Sequence, residues 1–375
     1  MKKDQPKDLS MIATEQTLTG TNLLNWLKLL WNNKFRISLK YLHKFLLINV
    51  MIWFSTPFII YEKIRFNRKI KRTKIEQDPI FLIGHWRSGT TYLHMLLTSD
   101  KNNGFASNLQ CFMPHIFLGS KKLYSKIVGS AMPEYRRQDN FKLGVNFPSE
   151  EDFAVSNMCQ YSFYHGLSFP RRRQFYGRYI TFNDVPEKEI NHWKKIYYFL
   201  LQKLTYANNG KRLVLKNPPN TGRIKFLLEM FPNAKFVHIY RNPYDVYPST
   251  VKLYLNLVPP FFLQKPEVTT PENIILDIYE EMHKKYFTER ELIPKGNLIE
   301  IRYEDFLADP LSTMEKIYKE LSLPNFAEAE LNFKEYIDEQ QTYKTNTHNL
   351  SKEMMAKISS RWKQSFEVWD YPIEE

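Results

Sequence analysis

Between residues 79 and 321 the chain alternates short apolar runs with segments whose apolar positions recur at helical spacing. Ile80–Ile83, 213–215, Lys235–Tyr240 and Leu298–Arg302 are four runs of three to six residues rich in Ile, Leu, Val and Phe, a pattern that predicts buried strands. Helices are predicted over 90–97, 222–231, 244–257, 271–291 and 310–321. Strand and helix in turn predict an α/β fold with a mostly parallel sheet and helices on both faces. The stretch 104–209 breaks the alternation and reads as a helical insert. Upstream, Leu23, Trp26, Leu27, Leu30, Phe35, Leu39, Leu42 and Leu46 keep a helical spacing with lysines and arginines interleaved, as in basic amphipathic helices. Residues 45–61 then run uncharged and include Pro57, and seven cations follow between Lys63 and Lys74 without an acid. That stretch is shorter than the roughly 20 apolar residues of a membrane span. Three readings stay open for it: a span, an interfacial helix, or a helix packed on the core.

At 375 residues the chain has room for one large domain or two small ones at roughly 150 residues per domain. The patterns divide it into a flexible N-terminus (1–20), a basic helical extension (21–76) and an α/β domain (77–375) that holds the insert 104–209 as its acceptor-binding cap. A hydrophobic content of 43% excludes a disordered chain, and two cysteines, Cys111 and Cys159, exclude a disulfide framework and fit a reducing, cytoplasmic setting. The net charge of +13 asks for an anionic partner: a phosphorylated cofactor, a nucleic acid or an anionic membrane. Nine histidines show no paired ligand spacing, so no metal is expected. Arg171-Arg172-Arg173 and the 63–74 cations have no nucleic-acid-binding module beside them, so no nucleic acid is expected either, whereas 23–74 is a candidate for peripheral membrane contact.

The candidate chemistry sits at strand ends. Residues 79–93, PIFLIGHWRSGTTYL, give a strand, a turn bounded by Gly84 and Gly89, and a helix, the arrangement in which backbone N–H groups and a helix start hold a phosphate. The spacing is that of a P-loop, yet Thr90 stands where a nucleoside triphosphatase has its lysine, and the cation lies inside the loop at Arg87, followed by Ser88, Gly89, Thr90 and Thr91. Residues 236–250, FVHIYRNPYDVYPST, repeat the plan: Arg241 ends a strand and Ser249 lies about two helical turns on, so both could face one phosphate. Two phosphate sites at two strand ends imply a bisphosphorylated nucleotide. In 301–310, IRYEDFLADP, Tyr303 is a candidate adenine contact.

In combination, GHWRSGTTYL, RNPYDVYPST and RYEDFLADP resemble the PAPS-dependent sulfotransferases, in the bacterial-type branch of that P-loop superfamily. The resemblance runs from about residue 79 to 321 and implies a P-loop-type parallel sheet, PAPS as donor and no metal. It implies that Arg87, Ser88, Gly89, Thr90 and Thr91 bind the 5′-phosphosulfate, Arg241 and Ser249 the 3′-phosphate, and Tyr303 the adenine. Arg361 and Trp362 resemble the segment that closes over the nucleotide. Two departures stand out: Arg87 replaces the lysine of the cytosolic members, and their catalytic histidine has no clear counterpart here.

Transfer of a sulfuryl group to an alcohol needs fixed cations and a proton acceptor. Lys216, closing the LVLKNPP run, is the candidate for the sulfuryl oxygens, against a structural ion pair at a strand end. Glu150 and Glu151 in FPSEED are candidate bases or helix-start charges, and His165 is a rival base or an ordinary buried histidine. Aromatic clusters at 112–117, 161–169 and 254–262 predict an apolar acceptor pocket, favouring a sterol or lipid alcohol over a carbohydrate. A P-loop kinase is the competing enzyme, and it lacks its loop lysine.

Overall fold

The computed structural model describes residues 16–132, 143–267, 271–339 and 350–374. Its sheet holds β1 (Ile80–Ile83), β2 (Asn103–Gly104), β3 (Arg212–Lys216), β4 (Lys235–Tyr240) and β5 (Leu298–Arg302) in the order β2-β3-β1-β4-β5, with every neighbouring pair parallel. The four predicted strands are all present, whereas β2 is two polar or flexible residues that no apolar run announces. The helices used below are α1 (Leu23–Asn32), α2 (Leu42–Arg72), α3 (Thr90–Ser99), α4 (Asp152–Met158), α5 (Glu187–Ala207), α6 (Ile224–Met230) and α7 (Pro243–Leu257). They continue with α8 (Pro271–Glu289), α9 (Tyr303–Ala308), α10 (Pro310–Glu320), α11 (Phe326–Glu339), α12 (Lys352–Arg361) and α13 (Lys363–Val368).

Alternate side chains of each strand leave on opposite faces, and both faces are apolar, so the sheet must be covered twice. Phe81, Ile83, Leu213, Leu215 and Phe236 enter a core with residues of α1, α2, α5, α6, α7 and α8, among them Trp26, Ile48, Trp193, Leu227, Val246 and Tyr279. Ile80, Leu82, Val214, Val237 and Ile239 enter a second core with Leu93 and Leu96 of α3, Phe306 of α9, Ile317 of α10 and Phe333 of α11. The register sets Leu82 beside Lys216, Ile83 beside His238 and Tyr240 beside Arg302. The carboxyl ends of β1, β3, β4 and β5 thus open on one edge, where an open parallel sheet binds its ligands.

The N-terminal region departs from its expected layout in one place. Gln16–Gly20, expected within a flexible terminus, is buried, and Thr17–Gly20 forms a 3-10 turn there. The 45–61 stretch belongs to one 31-residue helix, α2, which runs on through Pro57. Proline removes one intrahelical bond, and the core contacts of Ile48, Ile52 and Ser55 before it and of Glu62 and Ile70 after it hold the helix together.

His85, His165, His238 and His283 are all buried. Burial is the main cause that lowers the first three imidazoles to about 4 and His283 well below its ordinary value. A histidine that is neutral when folded and titrates near 6.5 when unfolded stabilises the fold fully above pH 6.5, and that contribution is lost as pH falls toward 4. Burial raises Glu151 to about 7 and also raises Asp152, and a raised carboxyl acts in the opposite sense as pH falls. Four imidazoles outweigh two carboxyls, so the urea midpoint is expected to fall between pH 7 and pH 5. A midpoint that stays level or rises would show that these histidines keep their protons when folded.

Candidate active site

β1 ends at Ile83 and α3 starts at Thr90, so six residues must reverse direction against the neighbouring strands. Gly84 adopts φ +137°, and a Cβ there would lie 2.3 Å from the Ile239 carbonyl oxygen, while its amide donates to Thr221 Oγ1 at 2.8 Å. Gly89 adopts φ +91°, and its Cβ would lie 2.4 Å from the ring of Tyr303. Arg87 also sits in the left-handed region, at φ +72°. For a non-glycine residue this costs of order 1 kcal/mol, a cost concentrated at functional sites. Thr90 is buried and Thr91 half-buried at the start of α3, and Ser88 is buried with its amide donating to the His85 carbonyl at 3.2 Å. His85 turns Nδ1 to the Trp86 carbonyl at 2.8 Å, the structural contact of a loop histidine.

The two expected phosphate sites share a boundary. Arg87 Nε donates to Ser249 Oγ at 2.9 Å, and Arg241 Nη1 donates to the Arg87 carbonyl at 3.3 Å. The Arg241 guanidinium lies over the Tyr303 ring at 4.5 Å and pairs with Asp245 at 3.4 Å. Its Nε is buried and has no hydrogen-bond partner. Asn242 caps α7 by accepting from the Tyr244 amide at 2.9 Å, which places Ser249 two turns in and facing the loop. Arg87, Gly89, Arg241, Ser249 and Tyr303 therefore form one continuous cradle over the ends of β1, β4 and β5.

Beside it, at the end of β3, Lys216 Nζ lies 2.5 Å from Glu150 Oε1. The other Glu150 oxygen accepts from the Tyr164 hydroxyl, which also meets Trp86 Nε1 at 3.4 Å. Glu150 is thus tied to a strand-end cation, to the insert and to the loop. Glu151 points the other way: its Oε1 accepts from Tyr197 at 2.8 Å and Asn220 at 2.9 Å, and the side chain is fully buried. Asp152, equally buried, pairs with Arg223 at 3.4 Å and accepts from Ser162 at 3.3 Å. Consecutive acids with such different surroundings are expected to respond differently to substitution. Glu151→Gln retains an acceptor for both donors and is expected to leave turnover within about threefold, while Glu151→Ala strands two buried donors and lowers stability by about 1–3 kcal/mol. A large loss of turnover in folded Glu151→Gln would make this carboxyl the base.

Three further expected site residues do not join this group. His165 Nε2 meets the Cys159 carbonyl at 3.0 Å and its ring packs edge-on to Tyr176, so the imidazole is a buried structural one. Trp362 is buried, stacks on Tyr279 at 3.7 Å and donates Nε1 to the Leu276 carbonyl at 3.1 Å. Arg361 pairs with Asp277 at 2.8 Å and Glu280 at 2.5 Å. Both bind α12 to α8, and the cluster of acids on α8 explains why this arginine turns away from the cradle. Arg172 and Arg173 lie over Phe175 and Tyr254 at 4.0 and 5.1 Å, and Arg171 Nε donates to the Lys265 carbonyl at 3.2 Å. Among the described residues no group of three or more His, Cys, Asp or Glu is placed to hold a metal ion, and both cysteines are free and buried.

Sequence reasoning missed Tyr164, Asn220, Thr221 and Arg223. All lie beside residues it singled out, in YSFYHGL and in LVLKNPPNTGR, where two prolines force the chain to turn immediately beyond β3. The expected aromatic pocket is made in part: residues from 161–169 and 254–262 meet in one apolar cluster with Trp86, whereas Met113 and Ile116 of 112–117 join a separate cluster with Met51 and Phe58 of α2.

The ends of β1, β4 and β5 thus carry a glycine-bounded loop with two arginines, and the end of β3 beside them carries a Lys–Glu pair. Residues 79–328 match the Sulfotransferase family. The omega-hydroxy-beta-dihydromenaquinone-9 sulfotransferase Stf3 of Mycobacterium tuberculosis is 32% identical over 352 residues, which cover 94% of this chain and 90% of that protein. The protein of the same name from Mycobacterium bovis matches to the same extent. Among solved structures, sulfotransferase STF9 from Mycobacterium avium superposes with a TM-score of 0.64 at 16% identity, covering 84% of this chain and 82% of that one. Sulfotransferase STF1 from Mycobacterium tuberculosis H37Rv gives 0.59 at 18% identity, covering 88% and 87%. The chain belongs to the sulfotransferase family, as its three motifs implied, and its fold is the α/β fold of those enzymes.

Proposed function

We propose that this enzyme moves the sulfuryl group of PAPS to the hydroxyl of a hydrophobic, lipid-like alcohol. The observation that carries the reading is the meeting of Arg87, Ser249, Arg241 and Tyr303 in one cradle, with Lys216 and Glu150 beside it. PAPS supplies an activated sulfuryl group and a phosphate leaving group. The cradle suits such a donor: the buried, unpartnered Arg241 Nε is a donor awaiting an acceptor, and Gly89 keeps the loop close enough to Tyr303 for one nucleotide to touch both. Arg87 and residues 88–91 would hold the 5′ side, Arg241 and Ser249 the 3′-phosphate, and Tyr303 the adenine. Glu150 would take the proton of the acceptor hydroxyl, with Tyr164 fixing its carboxylate, and Lys216 would face the developing charge. Glu151 is a positioning residue in this scheme.

For the acceptor, support comes from the apolar cluster of Phe163, Tyr164, Val258 and Phe262 next to Trp86, and from a relative whose name gives a hydroxylated menaquinone as its substrate. Assaying transfer of labelled sulfate from PAPS onto hydroxylated polyprenyl lipids, sterols and sugars tests the reading. Label on a lipid or sterol is expected, and label on sugars alone would overturn it. Calorimetry is expected to show PAP binding without Mg²⁺, and a preference for Mg²⁺–ATP would favour a kinase. Arg241→Ala is expected to weaken PAP binding at least tenfold, about 1.4 kcal/mol. Unchanged affinity in the folded variant would remove Arg241 from the donor site.

A further inference from the structure

The helix α2 is apolar on two opposite sides. Ile48, Ile52 and Ser55 face the core, as does Glu62, which pairs with Lys203 and accepts from the Leu118 and Gly119 amides at 2.8 and 2.7 Å. On the far side Leu42, Leu46, Val50, Trp53, Ile60 and Ile64 are exposed, Trp53 by 67% and Ile64 by 80%. At 100° per residue these six lie within one stripe about 80° wide and about 33 Å long. The same stripe continues for two turns as exposed Arg68 and Lys71. No described part of the chain covers it.

By length and composition Leu39–Arg72 could cross a membrane. The packing of its other side along the α/β domain, with the Glu62–Lys203 pair beneath, leaves only one face for lipid. The charge distribution identifies the partner: residues 21–74 contain twelve lysines and arginines and one acid, the buried Glu62, and so carry +11 of the chain's +13. Exposed Leu, Ile and Trp flanked by predominantly basic sequence are the chemistry of an interfacial helix on anionic lipid. The stripe also begins at the candidate site. Ser38 donates its amide to the Leu263 carbonyl at 3.0 Å, Lys44 donates to the Pro260 carbonyl, and Tyr41 packs on Phe262 at 6.4 Å, in the apolar cluster that includes Trp86 and Tyr164.

We infer that the exposed face of α2 docks in the interface of an anionic bilayer, so that the acceptor reaches the aromatic cluster from the membrane at the junction of 36–44 with 258–265. The entry route rests on the lipid-acceptor reading above; the docking itself is tested without it. Sedimentation of the full chain with vesicles of equimolar phosphatidylglycerol and phosphatidylcholine is expected to pellet the protein, more weakly at high salt and with phosphatidylcholine alone. The double variant Trp53→Glu/Ile64→Glu is expected to lose at least about tenfold of that binding while melting temperature and PAP affinity stay unchanged. Arg68→Gln/Lys71→Gln, which leaves the apolar stripe intact, is expected to weaken binding to the anionic vesicles severalfold, and serves if the glutamate variant does not fold. Protein that stays in the supernatant, or variants that pellet as well as the wild type, would overturn the proposal. So would a vesicle-free dimer that Trp53→Glu dissociates, which would give the face to a second copy of the chain. Lipid sulfation in detergent without vesicle binding would refute docking alone; vesicle binding with no lipid sulfated would refute the acceptor reading alone.

Discussion

Glu150→Gln is expected to lower turnover by about 10²- to 10⁴-fold, the usual contribution of a positioned general base, with PAP affinity within about threefold of wild type. The substitution keeps the size of the side chain and an oxygen for the Tyr164 hydroxyl, and removes only the basicity and the charge that Lys216 faces at 2.5 Å. Of the acids in FPSEED, Glu150 is the one with a foot in three elements: the end of β3, the insert at Tyr164 and, through that hydroxyl, the loop residue Trp86. Glu151 accepts from Tyr197 and Asn220 through Oε1 while its Oε2 lies buried away from Lys216, and Asp152 is committed to Ser162 and Arg223 inside the core. Single-turnover rates, compared with calorimetric PAP binding, separate chemistry from donor affinity. A variant that retains a third or more of the wild-type rate would show that the proton leaves by another route.

The sheet and the glycine-bounded loop at its carboxyl edge were legible in the sequence because both are local. A strand buried on two faces reads as an unbroken apolar run, and a loop that must pass Ile239 and Tyr303 at contact distance requires glycine at 84 and 89. Arg241 and Ser249 were legible because a helix fixes the spacing between its start and its second turn. What was not legible depends on contacts between segments far apart in the chain. Nothing in YHGL distinguishes Tyr164, which reaches Glu150, from His165, which turns to the Cys159 carbonyl. The fate of Arg361 was decided by Asp277 and Glu280, 84 and 81 residues away. That the helix runs on through Pro57 was not legible for a related reason: a lost helical bond is a local cost, and the contacts that offset it come from the core and from Lys203.

Lys216→Met is expected to reduce turnover by about 10²- to 10³-fold, in the range for removal of one preorganised charge that faces a developing anion. Methionine fills nearly the same volume, so the packing of Lys216 at the end of β3 beside Leu82 is retained. Lys216→Arg is expected to recover only part of the rate, because a planar fork cannot occupy the place of a compact ammonium that sits against Glu150. The sharper measurement is the double variant. If Lys216 and Glu150 act on the same transfer step, Glu150→Gln/Lys216→Met should be little slower than the slower single variant, as expected of residues that work as a unit. Losses that multiply would assign the two residues to independent steps, and unaltered turnover in Lys216→Met would reduce the ion pair to a structural strut between β3 and the insert.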